Sequence, residues 1–154
     1  MTGGTGAIGF AITFVIEPLD FESPVFFIQV KPPTHLPSLS TRKDAENQVR
    51  HGFVQLAHLV RVPKLYGVSA MGRQLSYYTY ERASGAAEPI ALADSTTLVV
   101  DTAPTGRWNT NIMEEEGCAK FLAVVEEIKQ MVAIIGTSLC ILLFNFPYII
   151  LEAA

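Results

Sequence analysis

The spacing of apolar positions changes several times along the chain, and each change marks an element. FAITFVI (10–16) is β-branched and aromatic and stops at Pro18, which predicts a strand. VFFIQVK (25–31) has the same character and ends at Pro32-Pro33. Proline has no N–H to give a ladder, so the second strand closes there. PLDFES, bracketed by Pro18 and Pro24, turns between the two runs and predicts a hairpin. The period then lengthens. In SLSTRKDAENQVRHGFVQLAHLV, Ala45, Val49, Phe53, Leu56 and Val60 recur at helical spacing. Ser40 or Thr41 can cap this helix, and Pro63 closes it. Arg42, Lys43, Glu46 and Arg50 fall on its other face, which predicts a charged outer surface.

Two more strands follow, KLYGVSAMG and QLSYYTYER, joined at Gly72-Arg73. The second alternates, with Leu75, Tyr77 and Thr79 on one face and Ser76, Tyr78 and Tyr80 on the other. ASGAAEP predicts a turn, and TTLVVDTAPTGRWN a short extended run and then a turn in which Trp108 anchors against the core. The last helix is expected to start near Ile112. Glu114, Glu115 and Glu116 fall in its first turn, where the helix dipole favours carboxylates. Phe121, Val124, Val125, Ile128, Val132 and Ile135 form its apolar stripe. The order β-β-α-β-β-(β)-α predicts an α/β (α+β) domain with a small mixed sheet: a hairpin, a crossover helix, a second hairpin and a C-terminal helix, over residues 1–131.

At 154 residues the chain is long enough for one domain with a real core. Its formal charge of −4 supplies no global basic field for nucleic acid. Cys118 and Cys140 are far from metal-type spacing and read as reduced, buried thiols of a cytoplasmic or nuclear protein. The apolar run 7–16 has no preceding Lys or Arg, unlike a secretory signal. The opening MTGGTGAIGF has the glycine spacing of a dinucleotide-binding turn. Such a turn needs a strand before it and a helix after it to present amides to the pyrophosphate. One residue precedes the motif and a strand-like run follows, so no dinucleotide is expected.

The most informative stretch is SPVFFIQVKPPTHLPSLSTRKDAENQVR. Gln29 and Lys31 are two apart and share one face of their strand. A lysine at the end of so apolar a strand needs a partner or a task. FFIQVKPPTHLPSLSTRKDAENQVR, KLYGVSAMG, DTAPTGRWN and EEIKQM together resemble a large family of fungal proteins, abundant in mushrooms, over roughly residues 8–131. Those proteins in turn resemble the PD-(D/E)xK restriction-endonuclease-like fold. The resemblance implies an Asp on one strand and (D/E)-x-K on the next, with two carboxylates holding Mg2+. The lysine orients or deprotonates the attacking water. It assigns Lys31, Gln29 and, from the following helix, Gln48 to a catalytic constellation. Family members often have Glu-Val-Lys where this chain has Gln29-Val30-Lys31, and an Asp-led strand where it has Thr13-Phe14-Val15-Ile16. They also have a helix and strand before the hairpin, for which there is no room here, so the core is expected to be N-terminally incomplete.

The site itself is expected to fail. With a hairpin centred near Asp20-Phe21, facing residues sum to about 41. Gln29 then faces Ile12 within a residue or so, and Lys31 faces Phe10. Ala11, Ile12 and Thr13 are the candidates for the acidic position, and none is acidic. Asp20, in a Pro18-x-Asp20 context, is the one metal candidate, but its turn is on the order of 20 Å from Lys31 at strand rise. One amide and waters are too little for a tight Mg2+ site. A catalytically inactive nuclease-like domain is therefore expected, with Mg2+ as cofactor only if the site is active. A weak Mg2+-dependent nuclease or phosphodiesterase is the alternative.

Other features add less. His51 and His58, seven apart, with Cys118 do not have a metal spacing. Arg42, Lys43, Arg50 and Arg61 with Lys31 and Lys64 form a modest basic patch, read as a charged outer face before nucleic-acid contact. VAIIGTSLCILLFNFPYIIL (132–151) holds twenty residues without a charge, long enough to cross a bilayer. Asn145 and Pro147 interrupt it. A third reading is therefore a membrane-tethered interaction module, tail-anchored through an apolar extension over 132–154.

Overall fold

Residues 12–18 and 22–135 are described in the computed structural model. Strands β1 (Ile12–Ile16) and β2 (Phe26–Lys31) form the expected antiparallel hairpin. Helix α1 (Leu39–Leu56) carries the chain over to β3 (Lys64–Met71), which pairs with β2 in parallel. A tight turn at Gly72, φ 60°, returns the chain as β4 (Gln74–Glu81), antiparallel to β3. Two short strands, β5 (Ala86–Glu88) and β6 (Thr110–Asn111), pair with opposite ends of β4. Helix α2 (Glu115–Ile134) follows. The result is a mixed α+β domain with a six-stranded sheet in the order β1-β2-β3-β4-β5, β6 also pairing with β4.

Each face of the sheet is covered by one helix, and the period-two alternation of β2 decides which residues meet which. Phe27 is fully buried and meets Phe53 of α1 edge to face, with ring centroids 5.2 Å apart. Its neighbour Phe26 points the other way and meets Phe121 of α2 at 6.1 Å. Burying one such phenyl ring is worth about 2–3 kcal/mol. Gly67 lets α1 sit this close. A Cβ there would lie 2.7 Å from Phe27 Cζ and 3.0 Å from Phe53 Cζ. On the other face Val124, Ile128 and Val132 of α2 enter the core, and Glu127 accepts hydrogen bonds from Tyr66 Oη (2.5 Å) and Lys64 Nζ (2.9 Å).

Several boundaries differ from the sequence reading. The N-cap position of α1 is Ser38, whose side chain makes no capping bond, while Thr41 inside the first turn gives its hydroxyl to the carbonyl of Ser38. Part of ASGAAEP is β5: Ala86–Glu88 completes the edge of β4 instead of turning. The run around Leu98-Val99 is irregular, its side chains standing in solvent with no strand to join. α2 begins at Glu115, since Asn111 Oδ1 accepts from Met113 N and holds the preceding residues in a turn. Cys118 is exposed, on the outer side of the first turns of α2, where a buried thiol was expected. Cys140 lies outside the described residues. The charge-free run beginning at Val132 starts inside α2, with Val132 packed in the core. No helix among the described residues is long and apolar enough to cross a membrane; 136–151 lies outside them.

Candidate functional site

The α1-facing side of β2 presents Phe27, Gln29 and Lys31 in succession, so the shared face expected from their spacing is present. Gln29 and Lys31 are only 7% and 6% exposed. The strand registers extend this face into a polar row. Thr13 on β1 is opposite Gln29, Gln29 is level with Ser69 on β3, and Ser69 is opposite Ser76 on β4. Ser69 and Ser76 are buried, and Ser69 Oγ accepts from the indole of Trp108 at 3.2 Å. Trp108 packs with Ala45, Met71 and Ala103, which is the core anchor expected of it.

α1 closes over one end of the row. The carboxamide oxygens of Gln29 and Gln48 are both buried with no hydrogen-bond partner among the described residues. Gln48 is one helical turn beyond Asp44, so the two share a flank of α1. Burial pulls the Lys31 ammonium below its ordinary pKa, and the Asp44 carboxylate, exposed on that flank, partly offsets this. Lys31 makes no ion pair among the described residues. Lys31, Gln29 and Gln48 thus belong to one face and the helix above it.

The hairpin register is one residue from the expected one: Thr13, rather than Ile12, faces Gln29. The pairing sum is 42 because Ile16 meets Phe26. Since alternate residues face opposite ways, that single step sets Thr13 and Val15 on the side of Gln29. The residues expected opposite Lys31, and the metal candidate Asp20, lie outside the described residues. Among the described residues no three His, Cys, Asp or Glu side chains converge on a metal position. His51 and His58 are both exposed, but His51 is on α1 and His58 is in the 3-10 turn Ala57–Leu59 that follows it.

The charged face of α1 is not the solvated surface it resembled. Arg42 is buried, giving Nε to Ala103 O (2.8 Å), Nη1 to Leu36 O (2.9 Å) and Nη2 to Asp101 (3.3 Å). Lys43 pairs with Asp94 at 3.3 Å. Arg50 donates to Glu46 (2.8 Å) and to Pro89 O (2.6 Å), and Glu46, itself buried, also pairs with Arg107. The row ties down the connection between β5 and β6. The aliphatics of this connection add little packing of their own. Ile90, Leu98 and Val99 are 71%, 71% and 89% exposed. Charge patterning cannot distinguish a solvated arginine from one that donates to carbonyls dozens of residues away.

Ser69 and Ser76 were missed as site residues. A signal existed: a turn at Gly72-Arg73 makes facing residues sum to 145, which pairs the two serines. Their place level with Gln29 depends on the parallel β2–β3 register. Comparison with protein-family models, with curated proteins and with solved structures finds no match for this chain.

Proposed function

We propose that this protein is a catalytically silent domain built on a restriction-endonuclease-like core. The element order supports the reading: an antiparallel hairpin whose second strand ends in lysine, a crossover helix, then a parallel strand. The observation that carries the silence is the β1–β2 register. Across from Gln29, where a PD-(D/E)xK site needs its first carboxylate, stands Thr13, and the second carboxylate position is Gln29 itself. A hydroxyl and an amide carry no formal charge to hold Mg2+, so the metal that would activate water and steady the leaving oxygen has no anionic seat among the described residues. Lys31 remains, but a lysine without the metal only donates.

Incubation of the full chain with supercoiled plasmid and Mg2+ checks this. The wild type is expected to leave the plasmid intact. The paired substitution Thr13→Asp and Gln29→Glu returns two carboxylates to neighbouring strands beside Lys31 and is expected to bind Mg2+ measurably by calorimetry. Nicking by the wild type that is lost in Lys31→Ala would sink the proposal in favour of a weak Mg2+-dependent nuclease.

A further inference from the structure

The connection between β5 and β6 is fastened at both ends and loose in between. At its start, Pro89 O accepts from Arg50 (2.6 Å) and Ile90 O from Arg107 (3.3 Å). At its far end, Asp101 and Ala103 O accept from Arg42. Across residues 91–100, the amides of Ala91, Leu92, Ala93, Thr96, Val99 and Val100 have no hydrogen-bond partner among the described residues. The ties inside this stretch are slight. Ser95 Oγ accepts from the amides of Thr97 and Leu98, and Asp94 meets Lys43 in an exposed pair that salt screens. Leu92, Leu98 and Val99 stand in solvent. The other connections differ. The 82–85 turn is closed by Gly85 N to Glu81 O, and 33–38 is wound through His35, Leu36 and Ser38 amides.

An endoprotease takes its substrate as an extended strand, reading free backbone groups and alternate side chains. Residues 91–100 offer both without unfolding anything else. We propose that this stretch is a processing site for an endoprotease that selects aliphatic side chains, and that the cut protein stays one folded unit. Taking Leu98–Val99 as the bond, water adds its hydroxyl to the carbonyl carbon of Leu98 and a proton to the nitrogen of Val99, leaving a carboxylate and an amine in solvent. The two pieces share the core. The first keeps β1 to β5 and α1. The second keeps β6, which pairs with β4, and α2, whose Val124, Ile128 and Val132 pack against the sheet. Arg42 to Ala103 O, Glu46 to Arg107 and Ser69 to the Trp108 indole also join one piece to the other.

Limited digestion of the full chain with thermolysin, which cuts beside aliphatic residues, tests the proposal, with fragment masses locating each cut. Within 22–135 the first cut is expected inside 91–100, and the two pieces are expected to co-elute in buffer and to separate in urea. The rate is expected to stay flat in urea concentrations below the unfolding midpoint, once corrected by a free peptide spanning 89–101, and to lie within about tenfold of that peptide, as for cleavage from the native state. Replacing Leu92, Leu98 and Val99 together by Ser is expected to slow the cut severalfold and leave the thermal midpoint unchanged, since all three are exposed. A first cut elsewhere in 22–135, pieces that part in buffer, a rate that climbs with urea as global unfolding does, or an undiminished rate in the triple variant overturns the proposal.

Discussion

Lys31 is a buried cation at the end of an apolar strand. Its pKa is lowered chiefly by burial, so the unfolded chain binds the proton more readily than the folded one. The unfavourable term is therefore present in full at neutral pH. It fades as pH rises through the folded-state value toward the ordinary 10.5. Lys31→Met is expected to stabilise the fold by about 1–2 kcal/mol at pH 7, with a smaller gain at pH 10, as read by urea unfolding at both values. Gly67 is the opposite case, a residue whose absence of side chain is structural. Gly67→Ala forces Phe27 or Phe53 to move and is expected to destabilise by about 1–3 kcal/mol. The face shared by Gln29 and Lys31 was legible in their spacing of two. The burial of Arg42 and Glu46 was not, because a helical wheel shows only that a face is charged, not what comes to cover it.

At the level of elements, α1 and α2 are attached by different means. α1 holds its sheet face through Phe53, Val49 and Ala45 and uses its charged side to fasten the segment from Pro89 to Trp108. Arg42→Ala removes two hydrogen bonds to that segment and a third to the Leu36 carbonyl, and is expected to cost about 2–3 kcal/mol. Amide exchange should rise over 99–104 and remain slow in β3, since the segment has few apolar contacts of its own. α2 adds a polar clasp at Glu127 to its apolar stripe. Hydrogen bonds from Tyr66 and Lys64 hold the Glu127 carboxyl below its ordinary 4.5. Burial first, and then Glu127, push the Tyr66 phenol up. The lowered carboxyl contributes stability above 4.5 that is lost as pH falls through its folded value. Glu127→Gln should therefore flatten the acid limb of the stability curve by less than about 1 kcal/mol, the pair being partly exposed. Absorbance titration should show Tyr66 ionising at lower pH in that variant.

For the molecule as a whole, core packing runs past the point where the composition changes. The charge-free run begins at Val132, yet Val132 is 3% exposed in the core beside Ile128. A chain ending at Gln130 is expected to lose about 1.5–3 kcal/mol relative to one ending at Ile135, measured by urea unfolding of the two.

Local patterning determined the elements and their order. Prolines close β2 and precede β3, a period of 3.6 marks α1, and alternation with Gly72-Arg73 produces the second hairpin, because each signal acts within a few residues of its effect. The candidate site was half legible in the same way: strand geometry could place Gln29 and Lys31 on one face, whereas Gln48 came only from the family resemblance. Tertiary structure alone decided the rest. The parallel pairing of β2 with β3 drew Ser69 and Ser76 level with Gln29, the step of one residue in the hairpin brought Thr13 into that row, and the return of residues 89–108 across α1 turned surface arginines into buried clasps. Those outcomes depend on contacts between residues far apart in the chain, whose register is selected by the summed packing of both sheet faces and by no local preference.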